Sequence, residues 1–105
     1  MKKPYFSGIL KTLTTKADIG NPEDIDYIMS KLNITASLAM TRFVDYSLSR
    51  VENKAGIERI KFYLFNGTLI QRNYACLFFN RLGEWKIVKK AFDDGLIDEI
   101  QAYAR

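Results

Sequence analysis

The chain has no histidine. With histidine go the commonest general base, the usual partner of a catalytic nucleophile and the commonest transition-metal ligand. Its one cysteine, Cys76, closes no internal disulfide and fits a reducing compartment, so a cytoplasmic protein is expected. Apolar runs reach only five residues, as from Ala75 to Phe79, so no segment spans a bilayer and no membrane partner is expected. The lysines at the N-terminus are followed by no apolar block of signal-peptide length. The glycines of "GILKTLTTKADIG" and "RVENKAGIE" make no phosphate-cradling loop. No nucleotide, flavin or metal motif is present either, and no cofactor is expected.

What is there points to one domain of 105 residues, long enough to bury roughly two-thirds of the surface of the unfolded chain. The net charge of +4 is unevenly spread. Residues 1–17 hold Lys2, Lys3, Lys11 and Lys16 and no acid. Residues 61–92 hold Lys61, Arg72, Arg81, Lys86, Lys89 and Lys90 against Glu84 alone. Residues 93–105 reverse the sign with Asp93, Asp94, Asp98 and Glu99 against Arg105.

Helical spacing dominates the chain. Residues 1–20 read as a basic arm or a short helix, with Phe6, Ile9, Leu10, Leu13 and Ala17 at helical intervals but Gly8 and the threonines against it. Residues 21–105 read as a single helical domain. Its first helix opens with Asn21 as N-cap and Pro22 at the first position, carries Ile25, Ile28, Met29 and Leu32 on one stripe, and stops at Asn33. Thr35 is expected to cap the second helix, in which Met40, Phe43, Val44, Leu48 and Val51 share a face. Residues 57–65 admit two readings: Ile60, Phe62 and Leu64 alternate as in a strand, while Ile57, Ile60, Tyr63 and Leu64 fit a helix. Helical neighbours and the lack of a partner strand favour the helix.

The stretch after Asn66-Gly67, capped by Thr68 and closed by Gly83, has apolar residues around nearly its whole circumference. Such a helix needs cover on several sides, so 68–82 is expected at the centre. The core is assigned to Tyr74, Ala75, Cys76, Phe78, Phe79 and Leu82, joined by Trp85, Val88 and Phe92 of the next helix. Gly95 ends that helix, and the last one is expected to start at Leu96.

"RNYACLFFNRLG" resembles the first helix of a HEAT-like repeat, with Arg72, Ala75, Leu82 and Gly83 at the recurring places and Val88 and Ala91 at inward positions of a second helix. The resemblance extends over about residues 35–105. It implies an α-α superhelical stack acting as a binding scaffold without catalysis of its own. The expected fold is therefore all-α, with five or six short antiparallel helices stacked like repeats, or alternatively a compact helical bundle.

Candidate sites follow from this frame. Cys76 lies in the most apolar helix and reads as a buried small hydrophobe rather than a nucleophile. Asp93, Asp94, Asp98 and Glu99 match no calcium loop; Asp98 and Glu99 suit the first turn of a helix. No catalytic or metal-binding residue is assigned. Arg72 and Arg81 read as stems packed on neighbours, their guanidinium groups pairing an acid or capping carbonyls. Asn33-Ile34-Thr35 fits a glycosylation acceptor but reads better as a helix stop and a cap.

The function expected is a non-catalytic adaptor that binds a protein partner or a second copy of itself, with a homodimer favoured. Its face would comprise Leu96, Ile97, Ile100 and Tyr103. Seven Phe, six Tyr and one Trp exceed what a short helical domain buries, and the last apolar segment has no polar helix to cover it. The alternative is a nucleic-acid-binding accessory protein using a basic surface of Lys61, Arg81, Lys86, Lys89 and Lys90 with the N-terminal lysines.

Overall fold

The computed structural model describes residues 8–105, so Lys2 and Lys3 of the basic arm lie outside the described residues. Among the described residues there are seven α-helices and no strand: α1 (Gly8–Ile19), α2 (Pro22–Ser30), α3 (Leu38–Leu48), α4 (Lys54–Asn66), α5 (Leu69–Leu82), α6 (Trp85–Asp93) and α7 (Glu99–Tyr103). The all-α class is as expected, and α1 brings the number above the expected five or six. Residues 57–65 are helical. Ile60 and Leu64, four apart, are fully buried while Phe62 between them is 42% exposed, so the helical spacing and not the alternation describes what the segment buries.

The chain divides into two compact units between Gly56 and Ile57, in the first turn of α4. Within the first unit α1 packs on α2 and α3 and fully buries Leu13 and Ala17.

In the first unit those two residues join Ile25, Ile28, Met29, Val44 and Leu48 in the core. The start of α2 is fixed by its own sequence: the Asp24 carboxylate accepts from the Asn21 N–H at 3.1 Å, and Pro22 follows the cap. At the start of α3, Ser37 is the cap, accepting from the Met40 N–H at 3.0 Å. Thr35 is not, because the Asn33 side chain holds it in a turn, accepting from both its N–H at 2.9 Å and its hydroxyl at 2.6 Å. Arg50, just beyond α3, donates twice to Asp18 on α1, at 2.7 and 2.9 Å, which holds the Asp18 carboxyl below its usual range. Gly56 approaches the α1–α2 turn so closely that a Cβ there would lie 2.3 Å from the Gly20 carbonyl oxygen.

In the second unit α5 packs against both α6 and α7, which also touch each other. Its start is a capping box: Thr68 accepts from the Gln71 N–H, and the Gln71 side chain accepts from the Thr68 N–H at 2.9 Å. Its end is Gly83 in the left-handed conformation, at φ 82°. Ala75, Cys76, Phe78, Phe79 and Asn80 are buried, with Phe78 and Phe79 edge-to-face at 5.1 Å, and Tyr74 is half-buried. Leu82, assigned to the core, is 50% exposed. It occupies the last turn, where the chain is already leaving α5 through Gly83, and its side of the helix meets no cover there.

Candidate functional site

Three of the hydrogen-bonding residues of α5 form one row along it. Arg72, Cys76 and Asn80 stand four residues apart, hence one above the other on the same face. That face receives the backbone of the chain's last ten residues. The Arg72 guanidinium donates to the Leu96 carbonyl at 2.7 Å and the Gly67 carbonyl at 2.9 Å. The Cys76 thiol donates to the Gln101 carbonyl at 3.2 Å. The Asn80 amide nitrogen lies 3.1, 3.0 and 2.7 Å from the carbonyl oxygens of Gln101, Ala102 and Ala104, which share its two hydrogens. A short helix leaves its last carbonyls short of partners, and Cys76 and Asn80 supply donors to those at the end of this segment. Burial pushes the Cys76 thiol up to about 11, with the Asp98 carboxylate adding to the effect. Cys76 is therefore a protonated donor and a packing group, not a thiolate.

The segment held in this way begins differently from expectation. The helix does not start at Leu96: α7 starts at Glu99, capped by Asp98, whose carboxylate accepts from the Gln101 N–H at 2.7 Å. Leu96 and Ile97 belong to the turn after Gly95, which is left-handed at φ 75°. Of the predicted association face, Ile97 is buried at 5% exposure and Leu96 is half-buried. Ile100 and Tyr103 are each 78% exposed.

Between α6 and this segment runs a groove of about 520 Å³. Asn80, Val88 and Ala102 line it together with the aromatic rings of Trp85, Phe92 and Tyr103. Trp85 and Phe92, assigned to the core, are 59% and 41% exposed. Their spacing with Val88 does define the apolar side of α6. Only Val88 and Ala91 on that helix are buried, because α7 is five residues long and too short to cover its neighbour's full length. The charged lining comprises Lys89, Asp93, Glu99 and Arg105, the last with its guanidinium 5.4 Å from the Trp85 ring centre.

The predicted basic surface is spread over α4, α5 and α6. Lys61 is half-buried on α4, and Arg81 is exposed near the end of α5. Lys86, Lys89 and Lys90 are exposed on α6. Lys89 donates to Asp93 at 2.7 Å, which raises its pKa, and Lys90 donates to Asp94 at 2.9 Å. Among the described residues no three carboxylate or thiol side chains gather as metal ligands would, and no helix is long and apolar enough to cross a membrane.

Sequence reasoning missed Asn80, Glu99 and Arg105 as site residues. A buried amide amid apolar neighbours was the signal for Asn80. Nothing in the order of residues marks Glu99 and Arg105 as facing one groove. The chain matches no family model, and neither a curated protein nor a solved structure proves similar to it.

Proposed function

We propose that this protein is a non-catalytic interaction module that binds another protein surface in the groove between α6 and the C-terminal segment. One observation carries the reading: Trp85, Phe92 and Tyr103 line a single hollow while remaining 59%, 41% and 78% exposed. Large aromatics left in water around one concavity are the residue types and shape by which protein interfaces are anchored. The nearest nucleophile, Cys76, is engaged with a carbonyl and kept protonated, in keeping with a scaffold that performs no chemistry. The HEAT-like resemblance carries the same implication, a helical surface used for binding. Two of the three α6 lysines are answered by carboxylates four residues on, which favours a protein partner over a nucleic acid.

The test is photo-crosslinking in cells from an unnatural residue at position 92, with position 58 on α4 as the control. Protein adducts that form from position 92 and are lost in Trp85→Ala support the reading. Adducts only to nucleic acid, or equal labelling from both positions, contradict it.

A further inference from the structure

The chain after α6 is held in two different ways. Leu96 and Ile97 are anchored: the Leu96 N–H donates to the Ala91 carbonyl at 3.0 Å, the Leu96 carbonyl accepts from Arg72 at 2.7 Å, and Ile97 is buried. Beyond them, Gln101, Ala102 and Ala104 are half-buried, and the other residues of 98–105 are exposed. Within that stretch α7 has five residues, and its large apolar side chains Ile100 and Tyr103 are each 78% exposed. A helix this short does not sustain itself, because nucleation outweighs so few backbone bonds. The stretch is fastened to α5 by polar contacts, the Cys76 thiol on the Gln101 carbonyl and the Asn80 amide on those of Gln101, Ala102 and Ala104. Each such bond is exchanged for one with water when it breaks, so its net contribution is small against the conformational entropy of the ordered residues.

We infer that residues 98–105 are a strap that swings away from α5 as one unit while Leu96 and Ile97 stay in place. Opening lifts the Gln101 carbonyl off the Cys76 thiol and frees the Asn80 amide. It also takes Glu99, Ala102 and Tyr103 out of the groove and leaves Trp85, Val88 and Phe92 of α6 without a facing wall. The groove therefore exists only while the strap is closed. This consequence rests on reading the groove as an interaction face: a partner that touches both walls binds the closed form alone, and by linkage it holds the strap shut.

The chain on its own tests the strap without any partner, so the strap and the groove reading are judged separately. Amide hydrogen exchange is followed at several urea concentrations below the unfolding transition. It compares the Ala102 N–H, bonded to the Asp98 carbonyl at 2.9 Å, with the Phe79 N–H inside α5. Alkylation of Cys76 by iodoacetamide is timed under the same conditions. Opening of the strap exposes little surface, so Ala102 exchange and Cys76 alkylation both vary little with urea, whereas Phe79 exchange rises steeply with it. After correction for intrinsic rates, Ala102 exchanges about tenfold faster than Phe79 or more. Asp98→Ala removes the α7 cap from an exposed position and speeds Ala102 exchange and Cys76 alkylation together, by about two- to thirtyfold. Ala102 exchange that follows the urea slope of Phe79 overturns the inference, because the segment then opens only when its unit unfolds. So does Cys76 alkylation that keeps the steep slope, or that stays unchanged in Asp98→Ala, because the segment then frays without leaving the row on α5.

Discussion

The Asn80 amide nitrogen lies 2.7 Å from the carbonyl oxygen of Ala104, across 24 residues of chain. With Arg72 on Leu96 and Cys76 on Gln101, it ties the C-terminal segment to α5 by side-chain donors on backbone acceptors. That segment is one wall of the groove, so the row on α5 is what gives the groove its shape.

Replacing Asn80 by Ala removes the donor from three carbonyls and leaves a small cavity. The expected loss is about 1–3 kcal/mol of stability, read from chemical denaturation. Amide hydrogen exchange should accelerate first in residues 99–104, where the Ala102 N–H bonded to Asp98 reports on α7. Asn80→Asp keeps the shape, loses the donors and buries a carboxylate beside carbonyl oxygens, so it should destabilise more.

Gly56 and Gly20 give a second expectation. Gly56→Ala drives a Cβ to 2.3 Å from the Gly20 carbonyl oxygen, which forces the α1–α2 turn to move and costs about 1–3 kcal/mol. Gly83→Ala meets no atom within 4 Å, so its cost comes only from the left-handed backbone and should be about 1–2 kcal/mol. Thermal unfolding of the two variants measures both.

Much of this fold was legible in local chemistry. Asn21-Pro22 with Asp24 behind them, and Thr68 with Gln71 three residues on, mark helix starts through groups that bond within one turn. Asn33 and Ser37 show how the same logic goes astray. Two cap-forming residues, Thr35 and Ser37, stand two apart, and the one already bonded to Asn33 is not free to cap. Periodicity found the apolar side of α6 but not its cover, because the shortness of α7 is set by Asp98 capping two residues later than the apolar run begins. Arg72 was legible as a carbonyl-capping stem, but its acceptor was not. Backbone carbonyls carry no side-chain signature, and Leu96 lies 24 residues away.

Cys76 yields a pH dependence. Its folded pKa of about 11 lies above the ordinary thiol range, so between the two values the folded chain keeps a proton that the unfolded chain has lost. Stability is full below the unfolded pKa and falls as pH rises through the interval. Cys76→Ala should flatten that alkaline slope in urea titrations. In the native wild type, alkylation by iodoacetamide at pH 8 should be slow and should accelerate on denaturation.

The chain's one tryptophan sits in the groove, so acrylamide quenching of Trp85 fluorescence reads that site alone. The account predicts ready quenching in the folded protein, because the ring lines an open groove at 59% exposure, and slower quenching once a protein partner is bound there. Quenching as slow as that of an indole shielded from water, or unchanged when a captured partner is bound, would contradict it.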